Sequence, residues 1–157
     1  MVWDTFPNMK TPRLLLAVLF ASGLALASSW AAEGWKTDYK AALELAAMED
    51  KLVLLDFTGS DWCPPCIKLH KDVFEKPEFA TFAKGNLVPV MLDFPRAKEI
   101  SPEIKQQNEA LAAKFTIEGY PTLILLDSKG NEVARRVGYQ PGGPEAFIKW
   151  VESTAKK

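Results

Sequence analysis

A chain of 157 residues with 48% hydrophobic and 25% charged side chains has an ordinary globular composition and the length of one domain with a substantial core. That balance excludes a disordered chain, a collagen-like repeat and a multi-span membrane protein, and a formal net charge of −1 leaves no electrostatic case for a nucleic-acid partner. Two cysteines and one histidine also fall short of the four ligands a structural zinc site takes, so no metal is expected.

At the N-terminus, Lys10 and Arg13 precede an uncharged apolar run from Leu14 to Ala27, the layout of a secretory signal peptide. The run is shorter than the about 20 apolar residues that cross a hydrocarbon core. Ala25-Leu26-Ala27 supplies the small-residue pattern of a cleavage site. Cleavage is expected after Ala27, with Ala31 as the alternative, and Met9, just before the basic residues, is an alternative start. A leader left uncleaved as a membrane anchor is the competing reading. No cysteine stands at the end of the apolar run to carry a lipid, so the processed chain is expected to be a soluble monomer, periplasmic or secreted.

Along the remaining chain, Tyr39, Ala42, Leu43, Ala46 and Ala47 recur at helical spacing and predict a first helix from Thr37 to Glu49, with Thr37 or Asp38 as its N-cap. Leu52 to Phe57 is a continuous apolar run interrupted only by Asp56, and it reads as a strand buried on both faces that Gly59 and Ser60 end. Ile67, Leu69, His70, Val73 and Phe74 then form the stripe of a helix expected to stop near Pro77. Leu87 to Phe94 is a second buried strand. Ser101-Pro102-Glu103 opens a helix expected to reach about Phe115. Thr122 to Leu126 and Glu132 to Val137 are strands joined by the turn-forming residues 127–131. Pro144 opens a last helix carrying Phe147, Ile148 and Val151 on one face. This alternation predicts an α/β sandwich around one mixed sheet, in a domain spanning 35–156.

The chemistry is expected in Trp62-Cys63-Pro64-Pro65-Cys66, where the first cysteine begins a helix and the second lies on it. A helix N-terminus favours a thiolate, and cysteines placed there titrate at roughly 3.5–7.5 instead of ~8.5. Cys63 is therefore the expected nucleophile. Cys66, one turn along, is the expected resolving thiol, which attacks a mixed disulfide on Cys63 and releases the client. No bound cofactor is needed beyond the redox-active pair itself. A purely structural disulfide is the bland alternative, although so small a loop constrains the unfolded chain very little. His70 falls four residues after Cys66 on the same helical face and is read as a packing or surface residue without chemistry. Far downstream, the proline of Gly119-Tyr120-Pro121-Thr122 directly precedes a strand and suggests a cis peptide bond, with a rigid turn as the simpler reading.

The helix–strand order, Trp-Cys-x-x-Cys after a buried strand, Gly-x-Pro-Thr and the Val137-Gly138 ending together resemble thioredoxins from about Trp35 to Lys156. The resemblance implies a three-layer sandwich with a central mixed β-sheet flanked by helices. It implies that Tyr120 and Pro121 face the cysteines and pair with an extended client segment. Asp56 corresponds in placement to an aspartate that assists proton transfer from the resolving cysteine. Two departures qualify that role: the link from Asp56 to Trp62 is one residue longer than usual, and the family's partner lysine is missing from Leu87 to Asp93. Trp62 and Pro64, with Tyr139, are candidates for an apolar client-docking rim. The run from Phe94 to Glu109 is longer than the thioredoxin connection and is expected to decorate the surface, as in exported bacterial thioredoxin-like proteins. Pro65 stands where reducing members also carry proline. The implied activity is reduction of disulfides in exported client proteins, recharged by a membrane electron donor. A disulfide oxidase or isomerase is the alternative within the class, and a non-catalytic client-binding module with a static Cys63–Cys66 disulfide is the alternative outside it.

Overall fold

The structure, a computed structural model, describes Met1 and residues 34–155. The expected leader, its cleavage points at Ala27 or Ala31 and the alternative start at Met9 lie outside the described residues. Among the described residues no helix is long and apolar enough to cross a membrane.

The chain runs α1 (Tyr39–Glu49), β1 (Leu52–Thr58), α2 (Pro64–Leu69), a π-helical turn (His70–Phe74), α3 (Pro77–Asn86), β2 (Leu87–Asp93), α4 (Pro102–Lys114), β3 (Thr122–Leu126), β4 (Glu132–Val137) and α5 (Gly143–Ala155). The four strands form one sheet in the order β2-β1-β3-β4, with β1 parallel to β2 and antiparallel to β3, and β3 antiparallel to β4. Pro89, which lacks an N–H, sits on the edge strand β2, where its carbonyl still accepts from Lys36 N at 2.8 Å.

Side-chain alternation along β1 divides the core into two layers. Val53, Leu55 and Phe57 pack with Ala42 and Ala46 of α1, with Leu111 of α4 and with Phe115 at its C-cap. Leu54 faces the other way, into Leu69, Val73, Phe74, Phe79, Phe147 and Val151 from the helices after the cysteines and from α5. Asp56 and Thr58 share the parity of Leu54 and so point into this second layer, beneath the cysteine-bearing helix, with both side chains fully buried.

Local signals account for most element ends. The Asp38 carboxylate accepts from Ala41 N at 3.0 Å, so Asp38, and not Thr37, caps α1. Ser101 Oγ accepts from Ile104 N at the start of α4. The segment after the cysteines differs from the single helix expected to stop near Pro77. It changes to π geometry at His70, with Glu75 N donating to His70 O at 2.9 Å, and Pro77 starts the further helix α3. A proline suits the first helical turn because its missing N–H would have no partner there, so Pro77 marks a beginning as well as an end. Ile67, expected in the buried stripe, is 47% exposed.

Candidate active site

Cys63 and Cys66 are joined as a disulfide with Cα atoms 5.3 Å apart. Cys63 is the N-cap of α2 in an extended conformation, and Pro64 is its first helical residue. The Cys63 carbonyl accepts from the amides of Cys66 and Ile67, both at 3.0 Å, while Cys63 N donates to Gly59 O at 2.9 Å. A short apolar strand, a turn at Gly59 and a proline-opened helix thus bring the pair to the end of the sheet. Cys63 is 4% exposed and Cys66 is completely enclosed, whereas Pro64 beside them is exposed.

The residues around the pair come from three separate stretches of chain. The indole Nε1 of Trp62 donates to Phe94 O at 2.7 Å, the guanidinium of Arg96 lies 3.8 Å over its ring, and Tyr120 meets it edge-on at 5.8 Å. Tyr120 also packs on Phe94 at 5.2 Å, and the Tyr120–Pro121 peptide is cis. Trp62 and Tyr120 are therefore neighbours. Tyr139 is not part of this cluster: its hydroxyl donates to Asp72 at 2.8 Å and Lys68 lies 5.1 Å from its ring centroid, so its contacts run to the far end of the cysteine helix. Arg96 and Tyr120, and not Tyr139, lie against Trp62.

The run from Phe94 to Glu109 does more than decorate the surface. The Asp61 carboxylate accepts from the backbone amides of Arg96, Ala97 and Lys98, and these bonds hold its pKa below the ordinary carboxylate value. Asp93 accepts from Ser60 N and Ser60 Oγ and pairs with Lys98 at 2.9 Å. Asn108, fully enclosed, donates to Asp93 O. The extra residue before the cysteines and the extra residues after β2 thus bind to each other, and together they fix the wall against which Trp62 rests. Gly59 belongs to that wall, because a Cβ there would lie 2.5 Å from the Trp62 ring. Gly59→Ala is expected to destabilise the fold by about 1–3 kcal/mol through overpacking, read as a lowered urea midpoint with a changed tryptophan fluorescence. An unchanged midpoint would mean that the indole is free to move.

Beneath the pair, one oxygen of the fully buried Asp56 carboxylate lies 2.6 Å from His70 Nε2. Burial raises the pKa of Asp56; the hydrogen bond and charge of His70 oppose that rise, and the negative charge of Asp93 adds to it. Its second oxygen, Oδ1, and Thr58 Oγ1 are buried without a hydrogen-bond partner among the described residues. His70, read from the sequence as a packing or surface residue, is thus hydrogen-bonded to a buried carboxylate. The signal was present in part: His70 stands one turn after Cys66, and Asp56 has the strand parity that turns it toward that helix. Their meeting required the helix to be docked. Among the described residues no group of His, Cys, Asp and Glu is arranged to hold a metal ion.

Comparison with known proteins places these features in a family. The family model described as a thioredoxin-like domain matches residues 39–155. The chain is 38% identical over 122 residues to the disulfide bond reductase DsbH of Chlamydia pneumoniae, covering 78% of this chain and 72% of that one. It is 37% identical over 135 residues to the thioredoxin-related protein DsbJ of the same organism, covering 82% of this chain and 38% of that longer protein. Among solved structures, a DsbH oxidoreductase superposes with a TM-score of 0.73 at 31% identity, covering 97% of this chain and 95% of that one. The reduced C-terminal domain of Neisseria meningitidis DsbD superposes with a TM-score of 0.56 at 27% identity, over 73% and 92% of the two chains.

Proposed function

The chain belongs to the thioredoxin-like family of thiol–disulfide oxidoreductases, and we propose that within it this protein is an exported reductase of disulfides in client proteins. The observation that carries the reading is the Cys63–Cys66 disulfide at the first turn of a helix, with the first cysteine at the rim and the second enclosed. Backbone N–H groups at a helix start favour a thiolate on Cys63 once the pair is reduced.

In the reaction, Cys63 Sγ⁻ attacks one sulfur of a client disulfide, a Cys63–client S–S bond forms, and the other client sulfur leaves as a thiolate that takes a proton. Cys66 then loses its proton, attacks Cys63 Sγ and forms the Cys63–Cys66 bond, and the second client sulfur departs. The client gains two electrons and the cysteine pair loses two. Asp56 is the proposed acceptor of the Cys66 proton, since burial gives it a basicity nearer to that of a thiolate than an exposed aspartate has. Trp62, Pro64, Tyr120 and Pro121 form the proposed client face, with an extended client strand alongside the Tyr120–Pro121 peptide. Pro65 and the likeness to a disulfide bond reductase support the reducing direction. The leader sequence supports export to the periplasm, where an oxidising compartment demands a membrane electron donor to regenerate the dithiol.

Equilibrating the pair against glutathione buffers tests the direction. A potential near −270 mV, together with reduction of insulin disulfides, is expected; a value near −120 mV would make the protein an oxidase. A pair that exchanges with neither reagent would leave it a binding module.

A further inference from the structure

Cys66, Asp56 and His70 belong to one buried layer, and of the three only His70 reaches solvent. Cys66 and Asp56 have no exposure, while the His70 side chain is 19% exposed and holds Asp56 at 2.6 Å. Cys66 and His70 are four residues apart on one helical face, with the His70 amide donating to the Cys66 carbonyl, and that face covers the side of β1 from which Asp56 projects. We infer that His70 is the outlet for the proton of the resolving step: it takes from Asp56 the proton that Cys66 gives up, and passes it to solvent. This rests on the reductase reading and deepens it, with His70 acting through Asp56 as a positioning and relay residue.

Three observations support the assignment beyond the contact itself. The Asp56 carboxylate has no other hydrogen-bond partner among the described residues, and its Oδ1 is enclosed and unpartnered, so a proton received there has no direct route to water. His70 begins the π-helical turn, a departure from α geometry of the kind that re-aims a side chain. The ring packs beside aromatic neighbours, Trp35 at 5.7 Å and Phe74 at 5.0 Å, and its side chain keeps 19% exposure. An imidazole accepting a proton on Nε2 while releasing one from Nδ1 carries a proton through without moving. Besides His70, the charged group acting on Asp56 is Asp93 from the end of β2; Trp35 and Phe74 contribute no charge.

The proton balance closes. In resolution, the Cys66 S–H bond breaks and its proton binds Asp56. The Cys66 sulfur forms the bond to Cys63 as the Cys63–client bond breaks, and the departing client thiolate is protonated from water. As Asp56 Oδ1 takes up the Cys66 proton, the proton already shared between Asp56 Oδ2 and His70 Nε2 passes to Nε2, and His70 releases its Nδ1 proton to water, so the pair keeps the number of protons it began with.

The test measures insulin-disulfide reduction from pH 5.5 to 9 for the full chain, alongside His70→Asn, His70→Gln, Asp56→Asn and the double His70→Asn/Asp56→Asn. His70→Asn is expected to slow reduction about tenfold near neutral pH, part of what a positioned acid–base group supplies, and to shift the pH profile toward alkaline conditions. His70→Gln should do the same. The double variant should be no slower than Asp56→Asn, because both residues serve one path. Added imidazole should restore rate to His70→Asn and leave Asp56→Asn unaffected. A wild-type pH profile in both His70 variants, or losses that multiply in the double variant, would overturn the inference. Absence of reduction by the unsubstituted protein would instead remove the reductase reading.

Discussion

Serine in place of Cys63 is expected to lower disulfide reduction by roughly 10³-fold or more, the scale on which removal of a covalent nucleophile acts. Serine in place of Cys66 is expected to abolish turnover just as fully but by a different route. The Cys63 thiolate would still attack, and with no second thiol to release it the client stays bound as a mixed disulfide. On a non-reducing gel the Cys66→Ser protein should therefore run as a covalent adduct that collapses on adding dithiothreitol, while the Cys63→Ser protein should show none. The opposite pattern would exchange the two roles. The structural ground is the unequal setting of the sulfurs, Cys63 at the N-cap and Cys66 inside the first turn without exposure. Both substitutions also remove the disulfide, whose short loop contributes little through chain entropy, so the fold should survive them.

Asp56→Asn is expected to act in opposite directions on stability and on rate. Burial raises the carboxyl pKa in the folded chain above its unfolded value of about 3.9, so the folded state holds the proton more tightly. The stability from that bound proton is complete below about pH 4 and is lost as pH rises through the folded-state pKa. Asn carries no charge over that interval. The variant should therefore gain on the native chain steadily above pH 4, reaching about 1–3 kcal/mol near neutrality, the usual cost of a buried polar group without a full set of partners. His70, as the one hydrogen-bond partner of the Asp56 carboxylate among the described residues, limits that gain. Over the same range the reduction rate should fall on the order of 10²-fold, because the proposed acceptor of the Cys66 proton is gone. Urea titrations at several pH values paired with insulin reduction measure both. A variant that is less stable at pH 7, or as fast as the native chain, would refute the assignment.

The reach of sequence reasoning can be followed element by element. The two-sided burial of β1 was legible because an apolar run of strand length broken only by Asp56 has few alternatives, and the helix start at Ser101 because capping is local chemistry, while between Thr37 and Asp38 the structure chose. The cysteine pair at the beginning of a helix was legible from spacing alone. Helix α3 was missed, since Pro77 read as a terminator when its place at a first turn makes it equally an initiator. The π turn at His70 left no mark, because inserting a residue into a helical turn changes hydrogen bonding without changing residue types.

What the sequence by itself determined is the set of features that depend on neighbours along the chain: the order of the strands and of the helices other than α3, and the dithiol at a helix start. The tertiary structure decided which side chains meet. His70 reaches Asp56 across 14 residues, Trp62 bonds the Phe94 carbonyl across 32, and Asp61 fastens Arg96 across 35. Tyr139 turns to Asp72 across 67 residues instead of joining the rim. Such contacts follow from how helices sit on a sheet, which is set by the packing of whole layers. A residue's own neighbours in sequence carry no record of it, and for that reason the proposed proton path became visible only when α2 was docked over β1.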